Sequence, residues 1–297
     1  MPEAARVIYI FAAGHSGSTL LASLLGAQKG AFNLGEIGYL AKFVAREGGA
    51  SPRGACTCGA PTLAQCPFWS AVDRMLARRS QPSLAQLDIS SHVTRLDGDL
   101  ALFDAAASVG NAPVLIDATK NYRRLLRLMQ SERPRILPVI LIGDPRKIVY
   151  SMRDKVHWAK HATKLNRIGI RLWTAYRLAK KKNLRPFVLT YDELALAPAE
   201  TVARLARQAG LDYERQLDWT AGERHDLGGN GMRFSTNSAI RVDRAWQSGL
   251  SLRQKLAISL LSLPYLFFTQ LVILLDRRRD ELRHPTEIED KPLLRRS

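Results

Sequence analysis

The residues best placed for chemistry lie in one short loop. Gly14-His15-Ser16-Gly17-Ser18-Thr19 follows the apolar run Val7-Ile8-Tyr9-Ile10-Phe11-Ala12-Ala13 and leads straight into Leu20-Leu21. A strand that ends in a glycine-rich turn and resumes as a helix aims backbone N–H groups and the positive end of a helix dipole at one point. That is a seat for an anionic group. The loop is not of the Walker A kind. With Ser18-Thr19 set on the Lys-Ser/Thr pair of that motif, Ala12 stands where its first glycine belongs. Ser18 then stands where its lysine reaches the β- and γ-phosphates. A cradle that keeps the amides and lacks this lysine suits a nucleotide without a γ-phosphate.

Other reactive groups are spread along the chain. Lys120 closes Ile116-Asp117-Ala118-Thr119-Lys120, just past a short apolar run, at the strand end where open α/β sheets bind ligands. A cation at a helix start opposes the helix dipole, which favours an anion nearby. Ser151 and Lys155 fall one turn apart on the helix expected to run from Pro145 through Lys155. Asp144 before Pro145 has the pattern of an N-cap rather than of a catalyst. The basic helix expected over 163–183 is a solvated face that an acidic acceptor's path could also follow.

The formal net charge is +17, which favours anionic partners. Neither helix-turn-helix nor zinc-finger spacing occurs, and no basic stripe is interleaved with aromatics, so nucleic acid is not the expected partner. The three cysteines, Cys56, Cys58 and Cys66, share one loop, and an odd count there is no disulfide framework. Zinc takes four ligands, and with no fourth cysteine, His15 or a distant histidine would have to complete the set. The expectation is reduced thiols and no metal, with a local disulfide staple in the loop as the alternative. Only five residues precede the first expected strand, so no leader peptide is expected and the chain is placed in the cytoplasm. The apolar stretch 256–275 is broken by Pro264 and flanked by Arg253, Lys255 and Arg277-Arg278-Arg279. It fits a buried helix pair, a helix lying in a membrane interface at the cytoplasmic face, or a span.

The elements that must carry these residues alternate. Strands are expected near 6–12, 114–117, 135–142 and 187–191. Helices are expected over 18–26, 97–109 and 199–209, with 30–70 rich in loops. The alternation gives an α/β fold: a central, mainly parallel sheet with helices on both faces. We expect one P-loop-like domain over 1–249 and a helical extension with a basic tail over 250–297.

Six motifs in this order resemble the family of sulfotransferases that use 3′-phosphoadenosine 5′-phosphosulfate. Gly14–Thr19 resembles that family's 5′-phosphosulfate loop, and Leu34-Gly35-Glu36 follows at the spacing of carbohydrate and tyrosylprotein members. Ile116–Lys120, Asp144–Ser151, Tyr191-Asp192-Glu193-Leu194, and His225–Asn230 with Arg233 resemble further segments, the first and last of them from bacterial members. The resemblance implies transfer of a sulfuryl group to a hydroxyl or amine of a glycan, lipid or small molecule, with no metal. It assigns Glu36 as base; Lys120, just past its strand, is placed as cation at the leaving oxygen, and His15, standing where relatives carry Lys or Arg, as donor to the sulfuryl oxygens. Gly14, His15, Ser16, Gly17, Ser18 and Thr19 would hold the 5′-phosphosulfate. Ser151 and Lys155, supported by Arg146, Tyr191 and Arg233, would hold the 3′-phosphate. Relatives carry arginine where this chain has Gly143, so either Arg146 or Arg233 substitutes, or donor affinity is weak, or the cofactor lacks that phosphate. Two other readings stay open: a kinase-like phosphotransferase, disfavoured by Ser18, and a non-catalytic nucleotide-binding protein at the membrane.

Overall fold

Arg6–Ala12 form β1, and every residue after the first is buried. A strand so uniformly apolar needs cover on both faces, which a parallel sheet between two helical layers provides. The computed structural model describes residues 5–44, 56–89, 96–215 and 217–283. The expected turns at Gly48-Gly49 and Ser51-Pro52 and the end of the basic tail lie outside the described residues.

After β1 come α1 (Ser18–Gly26), β2 (Ala31–Gly35), α2 (Leu40–Val44), α3 (Pro67–Arg78) and α4 (Asp97–Gly110). Next are β3 (Val114–Asp117), α5 (Tyr122–Leu128), β4 (Arg135–Ile142), α6 (Pro145–Ser151) and α7 (Trp158–Lys181). The chain continues through β5 (Phe187–Thr190), α8 (Tyr191–Leu196) and α9 (Pro198–Ala209). It then forms α10 (Ala245–Gly249), α11 (Leu252–Leu261) and α12 (Leu263–Arg283).

The five strands lie parallel in the order β2-β3-β1-β4-β5. Alternate β1 residues serve opposite faces, as strand geometry demands. Val7, Tyr9 and Phe11 pack with Trp69 of α3, Phe103 of α4, Leu125 of α5 and Leu172 of α7. Ile8, Ile10 and Ala12 pack with Leu21 and Leu25 of α1 and Leu205 of α9. Each such aliphatic or aromatic side chain contributes about 1.5–3 kcal/mol on burial. The result is the three-layer α/β architecture expected from the alternation.

The order of the strands also fixes where a ligand belongs. From β1 the chain leads off to one side of the sheet, and from β4 to the other. Their carboxyl ends therefore flank a crevice at the switch point. The 14–19 loop leaves β1 there and Gly143 leaves β4. A Cβ on Gly143 would stand 2.9 Å from the Ser16 Cβ, so the two turns touch.

Two elements differ from expectation. The stretch 30–70 contains the edge strand β2, which pairs with β3. The helix begun at Pro145 ends at Ser151 rather than at Lys155, and turn hydrogen bonds take over from Met152.

At the far end, α11 and α12 meet at a 70° bend. Among the described residues no single helix is long and apolar enough to cross a membrane; the bent pair passes that test only when its two halves are taken together. Tyr265 of α12 is buried against α7, where Gly169 leaves room for its backbone. Its hydroxyl donates to the Gly143 carbonyl at 2.8 Å.

Candidate active site

A cavity of about 600 Å³ opens over the carboxyl ends of the strands. Its floor is the loop between β1 and α1. His15 and Gly17 both adopt left-handed backbone conformations, with φ of 63° and 93°. No side chain caps α1, so the N–H groups of its first turn keep the unpaired state of a helix start. Gly17 is required twice over: a Cβ there would also lie 2.5 Å from the Tyr191 ring. Gly14, His15, Gly17, Ser18 and Thr19 line the cavity. Ser16 does not. Its buried hydroxyl is spent on the Ala13 carbonyl at 2.6 Å, which holds the turn instead of a ligand.

Glu36 and Lys120 form one wall. Gly35 ends β2 with φ 74° and lies so close to Leu227 that a Cβ would strike its backbone at 2.2 Å. That close approach lets the Glu36 amide donate to the Leu227 carbonyl at 2.6 Å, which fixes where the carboxylate starts. Lys120 pairs with the Glu36 carboxylate and also donates to the Ala118 carbonyl at 3.1 Å. Both side chains are under a fifth exposed. Lys120 holds φ at 59°, a conformation costing a lysine on the order of 1–3 kcal/mol and common at functional sites.

The support beneath that wall is ionic. Asp117, fully buried at the end of β3, accepts from the Thr119 amide at 2.9 Å and from Arg124 Nε at 3.0 Å. Arg124 and Arg127 both pair with buried Asp99. Thr119 Oγ1 in turn accepts from the Gly38 amide at 2.9 Å. One network thus sets the backbone on both sides of the Glu36–Lys120 pair.

The opposite wall carries Lys147, Ser151, Lys155 and Tyr191. Although Ser151 and Lys155 share no helix, the turn after α6 still brings both to the cavity. Lys147 went unrecognised in the sequence. It is 6% exposed, its ammonium lies over the Tyr191 ring, and burial pushes its pKa down to about 8 against the pull of Asp243, Asp192 and Asp144. Burial, reinforced by Lys155 and Lys120 and opposed by Glu36, also holds the His15 pKa below the usual imidazole value. His15 is therefore mostly neutral at pH 7 and donates as an imidazole. Asn230 closes the rim, its amide donating to Thr19 Oγ1 at 3.2 Å.

Two expected 3′-phosphate ligands sit elsewhere. Arg146 grips Asp144 through Nε at 3.0 Å and Nη2 at 2.5 Å, and its guanidinium lies over the Trp246 ring. Asp144 is the N-cap of α6, accepting from the Arg146 amide at 2.7 Å. Arg233 is buried, and its Nη1 donates to the Asp226 carbonyl at 2.6 Å. Neither arginine lines the cavity. Position 143 also leaves no room for the arginine that the resemblance would put there, because Ser16 and Ile148 crowd it.

The structure also gathers residues the sequence kept apart. Cys56, Cys58 and Cys66 meet His225, with one ligand atom from each within 4.8 Å of the others. The only signal in the sequence was the shortage of a fourth ligand.

No protein-family model matches the chain, and no curated protein matches it. Solved structures similar to it include two sulfotransferase domains. One is the sulfotransferase domain from the Synechococcus PCC 7002 olefin synthase, at 16% identity over 88% of this chain and 94% of that one, with a TM-score of 0.47. The other is the sulfotransferase domain from the curacin biosynthetic pathway, at 13% identity over 86% and 96%, with a TM-score of 0.45.

Proposed function

We propose that this protein is a sulfotransferase that moves a sulfuryl group from 3′-phosphoadenosine 5′-phosphosulfate to a hydroxyl or amine of a glycan, lipid or small molecule. One observation carries the reading. An amide cradle without the triphosphate lysine shares one cavity with the Glu36–Lys120 pair on one side and Lys147, Ser151 and Lys155 on the other. The set fits the donor's two charged ends. The loop amides and His15 would hold the phosphosulfate, and Lys147, Ser151 and Lys155 the 3′-phosphate. Leu20, Met232 and Ile240 offer apolar surface to the purine.

In the reaction, Glu36 takes the proton of the acceptor hydroxyl as its oxygen bonds to sulfur. Lys120 turns from Glu36 to the oxygen that links sulfur to the 5′-phosphate and stabilises the charge gathering there as that bond breaks. Adenosine 3′,5′-bisphosphate leaves. By analogy with phosphoryl transfer, the transition state is loose and its stabilisation is mainly electrostatic. A transferring sulfuryl carries less negative charge than a phosphoryl, so amides and lysines suffice here without magnesium.

The test uses the full chain, sulfur-labelled donor and a panel of glycan, lipid and small-molecule acceptors, read by mass spectrometry. Sulfate on an acceptor without added Mg²⁺, lost in Glu36→Gln, is the expected result. Phosphate transferred from Mg·ATP instead would overturn the proposal.

We further propose that Leu256, Leu260, Leu263, Phe267 and Leu274, all exposed, rest on an anionic membrane face with Arg253 and Arg277 at the edges. Sedimentation with vesicles containing phosphatidylglycerol, abolished by Phe267→Glu, supports this. Equal recovery of both proteins in the supernatant overturns it.

A further inference from the structure

Away from the cavity, three thiols and an imidazole converge with the spacing of a coordination shell. The Cys66 sulfur lies 3.5 Å from that of Cys56 and 3.7 Å from that of Cys58. His225 Nδ1 lies 3.2 Å from the Cys66 sulfur and 3.7 Å from the Cys56 sulfur. A tetrahedral ion with Zn–S near 2.3 Å and Zn–N near 2.0–2.1 Å has S···S edges of about 3.8 Å and S···N edges of about 3.6 Å. The observed edges agree to within a few tenths of an ångström.

The surroundings fit as well. Cys56, Cys66 and His225 are buried, and Cys58 closes the solvent side. His225 presents Nδ1 to the sulfurs while its Nε2 meets Glu223 Oε1 at 2.9 Å. A carboxylate on the far nitrogen fixes tautomer and ring orientation in metal-binding histidines. Trp69 Nε1 donates to the His225 carbonyl at 2.8 Å, and the Phe68 ring stacks on the imidazole. Three soft sulfurs with one imidazole select zinc over magnesium or calcium.

We propose that Cys56, Cys58, Cys66 and His225 bind one Zn²⁺ in a closed, structural site. No ligand of this site lines the cavity, and four protein ligands leave no position for substrate. The role is positional. Leu227, two residues after His225, forms bridges to both Cys56 and Gly35, and its carbonyl accepts from the Glu36 amide. The ion would tie the Cys loop to the strap that seats Glu36 and carries Asn230 to Thr19. This inference stands apart from the identity of the reaction.

Zinc is to be counted by plasma mass spectrometry in the full chain, expressed with zinc and purified without chelator. Its environment is then read by X-ray absorption and by Co²⁺ substitution. We expect about one zinc per chain, with three sulfurs near 2.3 Å and one nitrogen near 2.0–2.1 Å, and the cobalt form should show thiolate charge-transfer and tetrahedral bands. Cys58→Ser, at the exposed ligand, should lose most of the metal. Glu223→Gln, on the surface, should weaken zinc affinity by about 10–100-fold with the fold intact. Zinc-free protein that takes up none on titration would overturn the site. So would Cys58→Ser retaining zinc at the parent affinity.

Discussion

Lys147 offers a prediction whose size follows from its surroundings. Burial lowers its pKa to about 8, so its charge disappears as pH rises through that value. If the charged form is the one that binds an anionic nucleotide, apparent affinity scales with the protonated fraction. That fraction falls from about 0.9 at pH 7 to about 0.09 at pH 9, so the dissociation constant rises about tenfold, or about 1.4 kcal/mol. His15 is neutral across this range because its pKa is already depressed, and a phosphate's second ionisation, near pH 6, is complete. Calorimetry of adenosine 3′,5′-bisphosphate at constant ionic strength from pH 7 to 9 reads the effect. Lys147→Met should weaken binding at pH 7 by about ten- to a hundredfold, the worth of a charge-assisted hydrogen bond, and should flatten the pH profile. A Lys147→Met protein that keeps the parent's pH slope would refute the assignment.

Glu36→Gln keeps shape and polarity but cannot accept the acceptor's proton. Turnover should fall by roughly 10²–10⁴, with donor affinity within about twofold; sulfation at the parent rate would make the carboxylate a bystander. Arg233→Ala removes the cation beside the buried Asp226 carboxylate, which keeps a hydrogen bond from Thr57, and the donor to the Asp226 carbonyl. It should cost about 3–5 kcal/mol in denaturant unfolding and discriminate little between nucleotides with and without a 3′-phosphate. A selective loss for the 3′-phosphorylated form would return Arg233 to the ligand set.

Much of the fold was legible because local signals agreed with it. The run 7–13 is apolar without a break, and Gly14 and Gly17 end it at the positions where the strand gives way to a helix. Strand β2 was missed because only Leu34 and Gly35 of its five residues are fully buried and Asn33 interrupts the apolar pattern. Its identity comes from β3, about eighty residues away. Lys147, between Arg146 and Ile148, reads as a surface lysine in sequence. In the fold its ammonium lies over the Tyr191 ring with the Asp243 charge acting on it, and no local window contains either residue. Arg233 was placed at the 3′-phosphate by the family resemblance of 225–233, but in the fold its guanidinium donates to the Asp226 carbonyl. His225 lies 159 residues from Cys66, so only the folded chain reveals the pair.

On the proposed reading, the cavity suits a 3′-phosphorylated sulfuryl donor and not a triphosphate. Competitive calorimetry on the full chain tests it most directly, setting adenosine 3′,5′-bisphosphate without magnesium against Mg·ATP. The bisphosphate should bind more tightly, and chelating magnesium should leave its affinity unchanged. Equal or tighter binding of Mg·ATP would contradict it.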